Sequence, residues 1–245
     1  MTATATARPL SVLLINPNTS QWVTDKLASH LERLGGSALR IDSLTARFGA
    51  PYIASRESFE TGAQAVLDAW VRRSEEPDRG DQRGDGCARS RGHGHELPDA
   101  VLIGCFGDPG LAQLRSLSPV PVLGLAEAAI GEAYAAGRYA IVTGGLAWKP
   151  MLEELVASSG WLDRLDNITV IEQSGADLAA DPVTALRLLA AACRKAAARG
   201  VQGVVLGGAG FAGYGDHLAA EVPVPVIDSV SAAARALLGL KLTVK

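Results

Sequence analysis

One unit occurs twice in this chain, and it limits the fold more than any other feature. The run Val101-Leu102-Ile103-Gly104 ends at Cys105 and continues Phe106-Gly107-Asp108-Pro109-Gly110-Leu111. About a hundred residues later, Val204-Val205-Leu206-Gly207 ends at Gly208 and continues Ala209-Gly210-Phe211. Both units then reach the same tetrapeptide, Pro119-Val120-Pro121-Val122 and Pro223-Val224-Pro225-Val226. A short β-branched run broken by a glycine-rich turn reads as a buried strand feeding a loop. Two copies predict two related halves, each presenting a loop at a strand end. One loop carries a thiol and the other does not.

The rest of the chain extends this pattern. Strands are expected at 10–15, 39–41, 100–104, 120–124, 139–143, 168–172, 202–207 and 224–228. Trp22, Val23, Leu27, Leu31 and Leu34 recur at helical spacing before Gly35-Gly36 stops the helix. Further helices are expected at 58–73, 109–117, 126–136, 148–159, 182–199, 213–221 and 229–239. Such alternation predicts an α/β fold with doubly wound parallel sheet and helices on both faces. Chemistry in such sheets lies beyond the carboxyl ends of the strands, where Asn16, Cys105, Thr143 and Gly208 fall. The expected organisation is a flexible tail at 1–9, a first half at 10–124 and a second half at 125–228. A C-terminal helix at 229–245 is expected to pack back on the first half. Residues 74–98, rich in charge and glycine, read as an exposed, mobile insertion within the first half.

Composition narrows the function classes. A chain of 245 residues with a net charge of −3 gives no reason to expect a nucleic-acid or membrane partner. The start lacks the pattern of a signal peptide, and no run is long enough to span a bilayer. Three cysteines, unevenly placed, do not form a disulfide framework, so a reducing cytoplasm is the expected location. Cys193 sits in a helical apolar pattern and reads as core. Cys87 with His93 and His95 lacks the ligand pairing of a zinc site, so no metal is expected.

At the candidate site, Asp108-Pro109 reads as an N-cap followed by proline at the first helical position, which would set Cys105 before a helix N-terminus. A thiol there is expected to have a lowered pKa and to act as base or nucleophile. Phe106 follows it directly. Asn16, Asn18, Thr19 and Ser20 read either as helix caps or as groups that hydrogen-bond a substrate carboxylate or imide. Thr143-Gly144 after the middle strand leaves the same two readings. Gly208 and Ala209 read either as a tight turn or as a loop whose backbone amides approach a ligand. Asp216-His217 reads either as an acid/base pair near the second loop or as helix surface.

These segments together resemble the aspartate/glutamate/hydantoin racemase superfamily, in particular its hydantoin and allantoin racemase branch. The matching pieces are Ile15-Asn16-Pro17-Asn18-Thr19, Gly49-Ala50-Pro51-Tyr52-Ile53, 99–111 around Cys105, 121–129, 204–210 and Pro225-Val226-Ile227-Asp228. The resemblance implies two pseudo-symmetric halves with the active site in the cleft between them. It implies no cofactor, a small-molecule substrate, and two cysteines that serve opposite faces of a carbon beside a carbonyl. A homo-oligomer is expected. Cys105 matches the first cysteine, Asn18 and Thr19 the N-terminal substrate loop, and Thr143 the hydroxyl-bearing turn. The second cysteine falls at Gly208, which can transfer no proton. Water, Tyr214, Asp216 or His217 would then serve that face. Alternatively the chain is a one-base decarboxylase or cis–trans isomerase, or a pocket that binds without catalysis. On this alignment, Gly208→Cys is expected to raise racemisation.

Overall fold

The structure, a computed structural model, describes residues 8–75 and 97–243. Two four-stranded parallel sheets form its frame. The first contains β1 (Leu10–Asn16), β2 (Leu39–Thr45), β3 (Ala100–Ile103) and β4 (Val122–Gly124), in the order β2-β1-β3-β4. The second contains β5 (Tyr139–Gly144), β6 (Leu165–Ile171), β7 (Gly203–Gly207) and β8 (Val226–Asp228), in the order β6-β5-β7-β8. The two orders are the same once the strands are renumbered by half, so the doubled unit in the sequence is a doubled topology in space. Registers define the equivalences: Ile15 pairs with Ile103 and Ile103 with Gly124, while Val142 pairs with Leu206 and Leu206 with Asp228. Asn16 is thus equivalent to Thr143, Cys105 to Gly208, and Gly124 to Asp228.

The central strands are apolar along their length because helices cover both faces. Every residue of β1 is buried, as is every residue of β3, β5 and β7. The helices are α1 (Gln21–Gly35), α2 (Arg56–Glu75), α3 (Leu111–Leu117), α4 (Leu125–Ala136), α5 (Trp148–Ser158), α6 (Gly175–Ala180), α7 (Pro182–Ala197), α8 (Tyr214–Leu218) and α9 (Ser229–Thr243). Leu27 and Leu31 of α1 share a buried cluster with Val230, Ala233 and Leu237 of α9. Through that cluster α9 packs against α1, and it also packs against α4. His30 of α1 and Ser231 of α9 add a polar contact of 3.2 Å.

Three local expectations need correction. β2 runs to Thr45 rather than stopping at Ile41, and its outer residues alternate between half-buried and exposed. As an edge strand it tolerates Asp42 and Ser43, which hid its length from a search for apolar runs. A separate short helix, α6, precedes α7, and Ser174 and Asp177 close its start as a reciprocal capping box. Finally, Asp108 is not the cap of α3. That helix starts at Leu111 behind Gly110, which adopts a left-handed conformation at φ 79°. The tail at 1–7 and most of the proposed insertion, including Cys87, His93 and His95, lie outside the described residues. Among the described residues no helix is long and apolar enough to cross a membrane.

Candidate active site

The loops at the carboxyl ends of both sheets meet around a small cavity of about 40 Å³. From the first half, Asn18, Val23, Tyr52, Ile53, Cys105 and Phe106 line it; from the second, Thr143, Gly144, Trp148, Gly175, Gly208, Ala209 and Phe211 do. The expected residues Asn18, Cys105, Phe106, Thr143, Gly144, Gly208 and Ala209 therefore converge. Asn16 and Thr19 are not part of this wall. No residue of the wall carries a formal charge at neutral pH.

Asn16 explains its own absence from the wall. It is fully buried, and its Nδ2 donates to Asn18 Oδ1 at 3.0 Å and to Thr24 Oγ1 at 2.9 Å. Its Oδ1 accepts from the Asn18 amide at 3.2 Å. Asn16 thus folds the turn that aims Asn18 into the cavity. The Oδ1 of Asn18 also accepts from the Ser20 amide at 3.0 Å, so its side-chain oxygen is engaged on both sides. Its Nδ2 has no partner among the described residues and remains a donor for a ligand. Thr19 uses its backbone amide to bind Ala50 O at 3.1 Å, tying this turn to the loop that holds Tyr52. Thr143 is committed otherwise than expected: its Oγ1 donates to Gly207 O at 2.9 Å, bracing the β7 loop. Its hydroxyl proton is therefore not free for a substrate oxygen.

Cys105 is buried at 6% exposure, and its environment reverses the expected pKa shift. Burial pushes the thiol up, and the nearby Asp108 carboxyl adds to the effect. The helix that would have lowered it begins only at Leu111. Asp108 itself faces the other way. Its carboxyl accepts from the Ala126 amide at 2.9 Å and from the Glu127 amide at 2.7 Å, capping α4 from outside that helix. Burial pushes this carboxyl up to about 7 against the pull of those two amides.

The loop that lacks a thiol has a shape that suits glycine. Gly208 has φ 143°, a conformation that L side chains rarely adopt. A Cβ built there would lie 2.7 Å from a ring carbon of Phe211. Phe211 is buried, and Lys26 Nζ holds the neighbouring Gly210 carbonyl at 2.5 Å. The backbone and the Phe211 ring at this position lead to the opposite expectation for Gly208→Cys. That variant is expected to lose about 1–3 kcal/mol of stability through strain and overpacking, with no gain in racemisation. Thermal unfolding and polarimetry on the variant check both parts.

The distant candidates for the second face do not reach the cavity. Tyr214 lies against Phe211, ring centroids 5.8 Å apart, with Lys26 Nζ 4.9 Å from the centroid of the Tyr214 ring. Asp216 is exposed and faces Arg33 at 3.8 Å, and His217 is exposed beside it. Cys193 is buried in the α7 core with Leu189 and Ala196, away from the site. The residues that sequence reasoning missed are mostly apolar wall: Val23, Trp148 and Phe211, with Gly175 of α6. Tyr52 and Ile53 stood within a recognised segment without a role attached to them.

Comparison with known proteins gives concordant matches. The family model described as Asp/Glu/hydantoin racemase matches residues 12–237. A hydantoin racemase of Paenarthrobacter aurescens is 32% identical over 228 residues, covering 92% of this chain and 89% of the relative. A hydantoin racemase of Pseudomonas sp. (strain NS671) is 30% identical, with 91% and 82% covered. Among solved structures, an allantoin racemase from Pseudomonas fluorescens superposes with a TM-score of 0.81 at 25% identity, covering 95% of this chain and 91% of that one.

Proposed function

Because the chain belongs to the Asp/Glu/hydantoin racemase family, we propose that it is a cofactor-independent racemase or epimerase acting on a neutral cyclic amide such as a 5-substituted hydantoin. Cys105 takes a proton from the carbon beside the ring carbonyl. The Asn18 amide group and the backbone amides at Gly208 and Ala209 hold the carbonyl oxygen as charge builds on it.

The observation that carries the substrate class is a wall without a formal charge surrounding a single thiol. A free amino acid or a malonate would bring charges into this wall without a counter-ion, at a cost of several kcal/mol. A hydantoin brings none, and its ring meets Ile53, Phe106, Trp148 and Phe211. The same argument ranks a decarboxylase or cis–trans isomerase of dicarboxylates below a hydantoin enzyme. A cavity of about 40 Å³ holds only about three waters. A substituted ring therefore enters as the aromatic side chains of the wall give way.

The test is proton exchange in deuterium oxide, followed by NMR, across hydantoins, allantoin, free aspartate and glutamate, and arylmalonates. Exchange is expected at C5 of the neutral rings, with the charged compounds silent. Exchange confined to free amino acids would defeat the neutral-ring reading. The rate carries a pH signature as well. Burial holds the thiol above its ordinary range, so the thiolate is a minority at neutral pH. The exchange rate is expected to rise almost tenfold per pH unit between about pH 6 and 8. A flat profile over that range would mean that Cys105 is not the base.

A further inference from the structure

We propose that Tyr52 is the proton donor for the second face of the reacting carbon, acting from the wall that Gly208 leaves without a thiol. The inference rests on the reading of Cys105 as the base on the first face.

Four observations lead there. Tyr52 lines the same cavity as Cys105 and Gly208. Although it belongs to the loop after β2, its phenol crosses to the second half. A Cβ built on Gly175 would lie 2.2 Å from the Tyr52 hydroxyl oxygen, and one built on Gly210 would lie 3.2 Å from it. Two positions without side chains thus make room for the phenol. Gly210 belongs to the loop that is equivalent, in the other half, to the loop of Cys105. The hydroxyl therefore stands against the second half, on the side of the cavity where Gly208 lies. Third, no group among the described residues hydrogen-bonds this hydroxyl, whereas the buried Tyr139 donates to Trp161 O at 3.1 Å. A phenol without a protein partner, half-enclosed in an apolar cavity, is left to bond to a ligand. Fourth, burial pushes the Tyr52 phenol up, with the nearby Cys105 adding to the effect, which keeps it protonated.

The proton balance follows. The Cys105 thiolate takes the proton from carbon, and electrons move onto the carbonyl oxygen. The carbonyl reforms as Tyr52 gives its phenolic proton to the opposite face of that carbon. The product leaves thiol and phenolate, which return to thiolate and phenol by exchange with water. The opposite enantiomer uses that second form, which holds the same number of protons.

Tyr52→Phe removes the hydroxyl alone and keeps the ring. An enantiopure 5-substituted hydantoin in deuterium oxide is followed by circular dichroism for inversion and by NMR for deuteration with retention. Inversion is expected to fall by about 10²–10⁴-fold, the usual weight of a positioned acid, while deuteration with retention from the Cys105 face persists. Gly175→Ala, which pushes the phenol off its seat without changing its chemistry, is expected to slow inversion in the same selective way. Wild-type inversion in Tyr52→Phe overturns the assignment of Tyr52, and so does a wild-type enzyme that exchanges with retention but never inverts. A wild-type enzyme with no Cys105-dependent exchange on any hydantoin overturns the reading of Cys105, and this inference with it.

Discussion

Cys105→Ala removes deuterium exchange from the hydantoin enantiomer whose C5 proton faces the thiol, with a fall of about 10³–10⁴-fold, at the upper end of what a positioned base contributes. The upper end is expected because nothing else on that face can take over. Asn18 has no basic atom free, Thr143 is bonded to Gly207, and Tyr52 serves the opposite face. Cys105→Ser is expected to fall nearly as far, since an alcohol in the same buried place is a far weaker acid than a thiol. The fold survives either change, because only a small buried side chain is altered and it makes no strong hydrogen bond: the contact to Phe106 O is 3.9 Å long. Cys193→Ala is the control. It removes the buried thiol of α7, which touches no part of the cavity, and exchange is expected to proceed at the wild-type rate. Exchange rates for the three variants, read beside their melting temperatures, separate loss of chemistry from loss of fold. Exchange by Cys105→Ala at the wild-type rate would remove the thiol from the mechanism.

The doubled unit made the two halves legible because a buried parallel strand ending in a glycine turn leaves a local mark. Val101 to Gly104 and Val204 to Gly207 each carry it, and their registers in the two sheets agree. Of the strand-end residues Asn16, Cys105, Thr143 and Gly208, the last three converge on the cavity, whereas Asn16 is buried behind it and braces Asn18. What the local pattern could not reveal depends on contacts across the fold. Thr143 looked available until Gly207 was placed beside it. Gly208 looked like a missing thiol, but its backbone conformation and the Phe211 ring make it a site that suits glycine. Tyr52 stood in an irregular loop whose course is set by Thr19 and Ser20, both of which bind its backbone carbonyls at Ala50 and Pro51. Asp108 misled because Asp-Pro ahead of a helix is ordinary capping chemistry, whereas this carboxyl serves α4, the helix after the next strand.

That displaced cap leads to the second large effect, an exchange of one carboxylate between two places. In the second half the equivalent amides, those of Val230 and Ser231, are capped by Asp228 from the end of its own strand, at 2.9 and 3.0 Å. Asp228 also reaches into the preceding loop, accepting from the Gly213 amide at 2.9 Å. In the first half the strand-end position is Gly124, and the loop supplies Asp108 instead. The two solutions exclude each other: a Cβ on Gly124 would lie 2.1 Å from the Asp108 carboxyl carbon. Asp108→Gly is expected to cost about 2–4 kcal/mol near pH 5, because it strands two amides at the start of α4, one of them buried. Glycine is the chosen replacement because position 108 has φ 56°, which alanine would occupy only under strain. Gly124→Asp alone is also expected to destabilise, by collision and by pairing two carboxyls. Together the two changes place the carboxylate at the strand end, as Asp228 is placed in the second half, and the double variant is expected to return to within about 1 kcal/mol of wild type, a coupling of at least about 2 kcal/mol. Urea unfolding of the four proteins measures it, and simple additivity of the two losses would refute the equivalence of Gly124 and Asp228. The pH dependence gives an independent reading. Burial raises the folded Asp108 carboxyl to about 7, above an unfolded value of about 4. The folded chain then holds this proton more tightly, so the advantage of wild type over Asp108→Gly is present at low pH and declines as pH rises from about 4 through about 7. An advantage that grew over the same range would mean that the two α4 amides outweigh burial at Asp108.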